Sequence, residues 1–467
     1  MTFINIPILA LAVASAGLAR ADPVPSSVTP VTPFILPIGP APVTNQTSKI
    51  AIYSGTESRY QRGSFKPVED CKVVQFQSIG RHGTRTPTGG PSKSFSALEK
   101  LLKKSAALIP NDPNLAFLKT FVNPFTPDIA GELVDQGGYD LYGLGRRFSS
   151  AYPDLFTPFD ATRNIFRTSN STRCLASGER FAAGAYRDDS SIVDTIASSM
   201  VSALIPTTFD ADNDPDDACS AYSNMPDMPD VVFTSAPAAA ARISKQLGFQ
   251  LAVTDITVMM DLCEFQNAVQ NVQNEFCSLF TPAEISANDF ASDLTDYQSY
   301  GYSRALNTHL GCSVLTTAVR NIESAIASPA TAPKTFHAFA HAETVMPLVV
   351  SLGLFKDTLP LSINFTDAQI AARKWKIRNF APFAGNVAFE LLSCANSNTH
   401  RVRVLVNEAE VDLPGCGEGA CEFERFRTLY AGSIGCDFDA LCGNTVPSAG
   451  GWNALGAANM TGHGALQ

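Results

Sequence analysis

Charged residues are sparse in this chain, and positive ones are the scarcer kind. They make up 17% of the 467 residues, with 34 Lys and Arg against 44 Asp and Glu, and the formal net charge is −10. Proteins that bind nucleic acids usually present a basic face, so we expect no nucleic-acid partner. An acidic surface also repels anions, and an anionic ligand would therefore need a local pocket of cations.

Long hydrophobic runs are absent after the first twenty residues, which argues against a membrane-spanning helix. The early apolar run, Ile4 to Ala16, is short and precedes Ala19-Arg20-Ala21, a pattern typical of signal-peptide cleavage. We expect a signal peptide at about 1–21 and a secreted, extracellular protein, with a membrane anchor as the competing interpretation. Eleven cysteines agree with an oxidising compartment. Four Asn-x-Ser/Thr sequons are candidate glycosylation sites: Asn45, Asn170, Asn364 and Asn459.

The patterns of common metal sites are also missing. The cysteines lack the paired spacing of zinc sites. Aspartates at alternating positions from Asp210 to Asp216 are not followed by the Gly and Glu of an EF-hand loop. We therefore interpret Pro206 to Pro229 as a solvated acidic loop, and we expect no metal site.

The stretch from Lys72 to Pro87 indicates a phosphoryl-handling site. It begins as an apolar run typical of a short buried strand and breaks at Gly80 into a turn that carries Arg81, His82 and Arg85. Arginine offers two parallel N–H bonds to a phosphoryl group. Two fixed cations also disfavour protonation of the histidine between them, which leaves its imidazole available as a nucleophile. An Arg-His-Gly tripeptide alone is more often just an exposed basic turn.

Two more strand–turn–helix junctions carry ionisable residues. Residues 164–169 predict a short strand, and Arg173 lies in the first turn of the helix that follows, where backbone N–H groups favour an anion. Residues 335–340 predict a buried strand that leads into His341 and Glu343 at the beginning of a helix. Ligands gather at the carboxyl ends of strands in open α/β sheets, so we expect the three junctions to converge.

The remaining periodicity predicts an α/β fold with a central mixed sheet flanked by helices. Two further strands, 386–392 and 401–406, are predicted to pair. Helices are predicted at Phe95–Leu108, Gly131–Tyr152, Ala238–Leu247, Asp255–Phe280 and Arg304–Ala327. The second of these is rich in glycine and would need close packing against a neighbour. The expected divisions are an extended arm (22–49), an α/β core (50–94 and 300–445), a mainly helical inserted lobe (95–299) and a tail (446–467). Within the lobe's range, the strand–turn–helix of Arg173 is expected to return to the core.

The full pattern Arg-His-Gly-x-Arg-x-Pro after an apolar strand resembles the signature of the histidine acid phosphatases. The segment Phe339 to Leu361 resembles the multiple inositol polyphosphate phosphatases, a branch that dephosphorylates phytate and related compounds. The resemblance extends over most of the chain after the arm. It implies the histidine phosphatase fold, a small phosphomonoester as the substrate, and no cofactor.

Residue roles follow from the same resemblance. It makes His82 the nucleophile that forms a phosphohistidine. The residues it implies at the phosphate are Arg81, Thr84, Arg85, Arg173 and His341. Phytases of the fungal type carry an Asp directly after the second histidine, whereas here Ala342 intervenes and the carboxylate is Glu343, as in the inositol polyphosphate branch. We therefore expect Glu343 to be the general acid. Arg167 matches an arginine common in the family and is not assigned to the phosphate.

The resemblance also implies disulfides. The implied pairs are Cys71–Cys394, Cys263–Cys277 and Cys416–Cys421, with Cys219 bound to either Cys436 or Cys442. The odd count leaves at least one thiol over, for which Cys174 is the candidate, as a buried inert group rather than a catalytic one.

The leading interpretation is a secreted acid phosphatase that acts on phytate and lower inositol phosphates. A broad-specificity acid phosphatase of the same fold is the alternative, and the two differ in how cationic the outer pocket is, to which Arg59, Arg62 and Lys66 are candidate contributors. A non-catalytic secreted phosphate-binding relative is the alternative from another class. We expect activity at mildly acid pH, because the general acid must be protonated when it acts.

Overall fold

The computed structural model describes residues 55–68, 70–225, 230–270, 276–395 and 399–448. The expected signal peptide, the extended arm, most of the tail and the sequons at Asn45 and Asn459 lie outside these ranges. Within them, every helix is too short or too polar to cross a membrane.

A mixed sheet forms the centre of the described chain. Its strands are β1 (Cys71–Arg81), β2 (Asn164–Thr168), β3 (Thr335–Ala340), β4 (Asn386–Cys394), β5 (His400–Val406), β6 (Ala409–Glu410) and β7 (Cys421–Glu422). Their order is β2-β3-β1-β4-β5-β6, and β7 also pairs with β5. Strands β2, β3 and β1 are parallel, whereas β4 runs antiparallel to β1 and to β5. The predicted mixed sheet is confirmed.

Helices supply the rest of the regular structure. They are α1 (Gly89–Ser105), α2 (Ala116–Thr120), α3 (Asp135–Ala151), α4 (Pro153–Phe156), α5 (Thr172–Ala185), α6 (Ser190–Ser202), α7 (Ser220–Ser223), α8 (Ala236–Leu247), α9 (Val253–Gln270), α10 (Pro282–Tyr300), α11 (Ala305–Leu310), α12 (Cys312–Ala327), α13 (Ala342–Ser351), α14 (Asp367–Ala372), α15 (Phe423–Leu429) and α16 (Phe438–Cys442).

Both faces of the sheet are buried, so residues 75–81 of β1 and all of β3 are covered on both sides. Side chains alternate between the faces of a strand, so Ile79 and Phe76 of β1 point to opposite sides. Ile79 joins a core cluster with Val345 of α13. Phe76 packs against Phe148 of α3 with ring centroids 4.7 Å apart, in a second cluster that includes Phe181 of α5. The sheet is thereby held between α12 and α13 on one side and α3 and α5 on the other.

A third cluster lies among helices. It is formed mainly by α1, α8 and α9, through residues such as Leu98, Ile243 and Met259. Helices α8 and α9 and most of α1 fall in the range 95–299, which we propose as the inserted lobe. Helices α3 and α5 come from the same range but pack on the sheet.

The predicted close packing of the glycine-rich helix is confirmed. A Cβ atom on Gly145 of α3 would lie 2.1 Å from the carbonyl oxygen of Phe181 in α5. A Cβ on Gly184 of α5 would lie 2.0 Å from the carbonyl oxygen of Tyr142 in α3. The two backbones therefore meet at a distance that only glycine permits.

Several predicted helices differ in extent. The helix predicted over Arg304–Ala327 is divided into α11, which contacts α13 and α16, and α12, which contacts α13 and β1. The one predicted over Asp255–Phe280 ends as an α-helix at Gln270, and 277–279 form a 3₁₀ turn. Leu108, predicted on an apolar helix face, is 59% exposed beyond the end of α1.

Helix α10 was not predicted from the sequence. Its buried face carries Asp289 and Asp293, whose carboxylates lie 2.8 and 2.6 Å from the guanidinium of Arg373. Charged residues at buried positions conceal the apolar periodicity on which helix prediction depends.

The described residues contain five disulfides. The implied pairs Cys71–Cys394, Cys263–Cys277 and Cys416–Cys421 are all present. Cys219 binds Cys442, one of its two expected partners, and Cys436 binds Cys312. Cys174 is unpaired and buried, as expected.

Candidate active site

The carboxyl ends of β2, β3 and β1 lie side by side at one edge of the sheet. In the register, Arg81 at the end of β1 is opposite Ala340 of β3, and Thr168 of β2 is opposite Phe339. The polar turns that follow the three parallel strands therefore emerge together. The expected convergence of the three junctions is confirmed in the positions of the backbone.

His82 is held with one defined nitrogen available. Its backbone amide donates to Ala340 and its carbonyl accepts from Ala384, both at 2.9 Å. The ring Nδ1 lies 2.8 Å from the carbonyl oxygen of Gly83. A carbonyl can only accept, so Nδ1 carries the proton and Nε2 keeps its lone pair. Burial and the charges of Arg81 and Arg173 lower the pKa of His82 well below its usual value, so the ring is neutral.

Three arginines at this edge present unused hydrogen-bond donors. The Nε atoms of Arg81, Arg85 and Arg173 are buried and lack a partner among the described residues. Buried donors of this kind are normally satisfied, since an unpaired one costs about 1–3 kcal/mol or more when charged. Burial lowers the pKa of Arg85 to about 10, which leaves it cationic at neutral and acid pH. The arrangement fits an anion that supplies acceptors to all three.

Phe383 is a residue of the candidate site that was not predicted from the sequence. The Arg81 guanidinium lies over its ring, 4.4 Å from the centroid, and that of Arg85 lies at 5.9 Å. Arg81 also donates to the carbonyl oxygens of Thr56 and Ala381. Fully buried, Phe383 thus acts as a platform for two cations, an interaction worth about 2 kcal/mol when desolvated.

Close backbone contacts join the His82 turn to the beginning of α3. A Cβ on Gly83 would lie 2.5 Å from the carbonyl oxygen of Gly137, and one on Gly137 would lie 2.4 Å from the amide of Thr84. Thr84 is fully buried, and its carbonyl accepts from the amide of Val134 at 3.0 Å. That the Thr84 side chain binds the phosphate stays a prediction.

The acidic loop predicted to be solvated is in fact largely buried. Asp210, Asp212 and Asp214 are exposed by 1%, 1% and 4%. Asp214 Oδ1 lies 3.4 Å from Nε2 of His341 and accepts from the hydroxyl of Ser169 at 2.9 Å. The prediction of a solvated loop is therefore wrong. Alternation of Asp with small residues indicates a polar segment but cannot tell whether neighbouring elements cover it.

Glu343 lies in the first turn of α13, two residues after His341. Burial alone would raise the pKa of its carboxyl, but His341 and Arg81 lower it below the usual value. Asp216 of the same acidic loop is its electrostatic neighbour, and burial together with Glu343 raises the pKa of Asp216 to about 8. The hydroxyl of Tyr300 donates to Asp216 at 3.3 Å.

The other residues singled out from the sequence are accounted for as follows. Cys174 donates to the carbonyl of Ala340 at 3.2 Å, and burial raises the pKa of its thiol to about 12, which fits an inert group. Arg167 bonds the carbonyl of Phe166, at 2.7 Å, within its own strand. Of the two described sequons, Asn364 is exposed, whereas Asn170 is half-buried beside Ser169.

Of the cations suggested for an outer pocket, Arg62 lies 3.7 Å from the carboxylate of Glu408, which also binds Arg147. Burial lowers the pKa of Arg59, and Asp140 opposes this effect. Lys66 is exposed, and its carbonyl accepts from Arg403.

Comparison with known proteins adds the family. The profile of the histidine phosphatase superfamily (branch 2) matches residues 72–407. The chain is similar to multiple inositol polyphosphate phosphatase 1 of Gallus gallus, with 27% identity over 84% of this chain and 92% of the relative. It is also similar to a thiamine-repressible acid phosphatase of Schizosaccharomyces pombe, with 29% identity over 77% of this chain and 81% of that protein.

Among solved structures, the phytase from D. castellii matches with a TM-score of 0.73 and 20% identity, covering 88% of this chain and 91% of the phytase. At that identity the match supports the fold.

Proposed function

This chain belongs to branch 2 of the histidine phosphatase superfamily, and we propose that it is a secreted hydrolase that releases phosphate from inositol polyphosphates such as phytate. The five disulfides support an oxidising, extracytoplasmic compartment. The similar multiple inositol polyphosphate phosphatase 1 of Gallus gallus aligns with most of this chain, which supports the substrate class.

One observation carries the proposal: a neutral histidine with a free Nε2 stands among three arginines with unused buried donors. Nδ1 of His82 is bound to the Gly83 carbonyl, so a nucleophilic attack can come only from Nε2. The Nε groups of Arg81, Arg85 and Arg173 supply preorganised donors for an anion. Stabilisation of the charge spread over three phosphoryl oxygens is the main task in phosphoryl transfer.

The reaction has two steps. Nε2 of His82 forms a bond to phosphorus, the bond from phosphorus to the ester oxygen breaks, and Glu343 gives its proton to the departing oxygen. Water then attacks the phosphohistidine, the P–N bond breaks, and the Glu343 carboxylate accepts the proton of that water. Inorganic phosphate leaves, and His82 and Glu343 return to their starting states.

Bound phosphate raises the pKa of Glu343 and so keeps its carboxyl protonated, as a general acid must be, up to a higher pH. In the empty site, His341 and Arg81 lower the pKa of Glu343, so its carboxyl is ionised at neutral pH. A phosphate dianion compensates the positive charge of Arg81 and adds negative charge, and a like charge raises the pKa of a carboxyl. Turnover of substrates with poor leaving groups should therefore fall as the pH rises above the pKa of Glu343 in the complex.

A broad-specificity phosphomonoesterase is the second candidate. Acidic surroundings favour it: Glu57 is an electrostatic neighbour of Arg81. Such a carboxylate opposes the approach of a highly charged substrate more than that of a simple monoester. The similarity to an acid phosphatase agrees with this candidate.

The test is phosphate release by the purified protein without added metal at about pH 5, where a carboxyl general acid keeps part of its protons. Phytate and p-nitrophenyl phosphate are compared for the wild type and His82→Ala. His400→Ala on β5 is the matched histidine control and should keep the wild-type rate. Loss of release in His82→Ala and faster release from phytate support the proposal.

Turnover of the aryl ester alone would favour the broad-specificity enzyme. A folded wild-type protein that releases phosphate from neither substrate would refute both, and would leave a non-catalytic phosphate-binding protein. Trapping of ³²P on the protein would test the covalent intermediate directly. The label should be released by acid and should be absent from His82→Ala.

A further inference from the structure

The buried acidic loop, residues 210–214, is hydrogen-bonded to α12 and to α13, the helix that begins at the site. Asp210 caps the loop and accepts from the side chain of Asn213 at 2.8 Å. The carboxylate of Asp212 accepts from the hydroxyls of Ser313 and Thr317 in α12. The carbonyl of Asn213 accepts from the hydroxyl of Thr344 in the first turn of α13. These bonds fix the next residue, Asp214, beside His341.

His341 is contacted on both ring nitrogens. Arg173 lies 3.3 Å from Nδ1, and a guanidinium can only donate, so Nδ1 is an acceptor in the empty site. The ring proton therefore lies on Nε2, which is 2.9 Å from the hydroxyl of Ser169. Ser169 in turn donates to Asp214 Oδ1. The second oxygen of Asp214 is buried without a hydrogen-bond partner among the described residues.

We propose that Ser169 and Asp214 are positioning residues for His341: they hold its Nε2–H edge so that Nδ1 faces the bound phosphate, and the Asp214 carboxylate stabilises the ring when it takes up a second proton. This inference rests on the proposed function. Only a doubly protonated ring can donate from Nδ1 to a phosphoryl oxygen and keep its bond from Nε2 to Ser169. Neither Ser169 nor Asp214 touches the substrate in this arrangement.

The charges around His341 come from several elements. They are Arg81 and Arg85 after β1, Arg173 of α5, Glu343 of α13, Asp214 of the loop, and the neighbouring ring of His82. In the empty site, burial and Arg173 lower the pKa of His341 to about 3. Burial and Asp210 raise the pKa of Asp214 to about 8. A phosphate dianion favours the imidazolium, and an imidazolium favours the carboxylate, so substrate binding shifts both groups towards the charged pair.

The experiment measures the pH dependence of kcat for Asp214→Asn, with p-nitrophenyl phosphate as the substrate. Its leaving group departs without a proton from Glu343, so the alkaline limb of the kcat profile is free of that residue. The variant keeps the shape of the side chain but removes the charge. We expect the limb to move to lower pH by about one unit or more, because an opposite charge within ~4–6 Å shifts a pKa by about 1–3 units.

Asp212→Asn is the matched control, since it removes an equally buried carboxylate of the same loop that binds α12. It should lower the melting temperature and leave the limb in place. If Asp214→Asn does not fold, Ser169→Ala provides the same readout. We expect its kcat to be about tenfold lower, which corresponds to the loss of one hydrogen bond. We also expect its alkaline limb to move to lower pH.

Two results with an active wild type would overturn the positioning role and leave the proposed function intact. The first is a folded Asp214→Asn variant with an unmoved alkaline limb. The second is an alkaline limb that Asp212→Asn moves by the same amount. Absence of activity in the wild type would overturn the proposed function and this inference with it.

Discussion

Replacement of Glu343 by Gln separates the two chemical steps of the proposed reaction. Glutamine keeps the size of the side chain at the beginning of α13 but cannot release a proton at any useful pH. A general acid contributes about 10²–10⁴ to the rate when the leaving group is poor. For an inositol phosphate, whose leaving alkoxide needs a proton, we expect kcat to fall by this factor, equivalent to about 3–5 kcal/mol.

p-Nitrophenyl phosphate gives a different signature. Its leaving group is stable as an anion, so formation of the phosphohistidine should proceed in Glu343→Gln at close to the wild-type rate. The second step still lacks the base that activates water. Rapid-quench or stopped-flow measurement should therefore show a burst of p-nitrophenol close to one equivalent per site, followed by slow turnover.

The pH profile tests the same assignment. Wild-type turnover of an inositol phosphate should fall above the pKa of Glu343 in the complex, and Glu343→Gln should lose that limb. Glu424→Gln on α15, where the glutamate is 71% exposed, is the control and should match the wild type. Near-wild-type turnover of an inositol phosphate by Glu343→Gln would refute the reasoning and direct attention to Asp216, the neighbouring carboxyl.

Two further outcomes concern stability. Burial raises the pKa of Asp210 and Asp261 to about 7 and that of Asp214 to about 8. The folded protein therefore keeps protons on these carboxyls that the unfolded chain releases. Their contribution to the free energy of unfolding is present at low pH and is lost as the pH rises through about 7–8. The melting temperature at pH 5 should accordingly exceed that at pH 8, and the reverse order would contradict these protonation states. Replacing Cys71 and Cys394 by Ala should lower the free energy of unfolding by about 3–4 kcal/mol more than replacing Cys416 and Cys421, because the sequence separations are 323 and 5 residues and the loop entropy scales with the logarithm of loop length. Denaturant unfolding of both double variants checks this, and equal losses would show that chain entropy is not the main term.

Local sequence was sufficient for the parts of the site that follow directly from a strand. Three segments were predictable because an apolar run ends there in ionisable residues: the turn after β1, the first turn of α5 and the beginning of α13. Parallel neighbouring strands bring their carboxyl ends to one edge. The sequence alone therefore predicts one site that contains Arg81, His82, Arg173, His341 and Glu343. The glycines of α3 likewise indicated a close helix–helix contact, because only a missing side chain permits it.

Tertiary structure decided the residues that act from a distance in the chain. Phe383 lies under Arg81 although 302 positions separate them, and nothing in a buried phenylalanine distinguishes a cation platform from ordinary core. Asp214 comes from a loop whose composition is that of a solvated segment; it is buried because α12 and α13 supply hydrogen-bond donors to the residues before it.

The same reason explains the missed helix α10, in which Asp289 and Asp293 are buried against Arg373. Local periodicity records which face of an element is apolar. It does not record which distant groups compensate a buried charge, and that compensation is made only when the chain is folded.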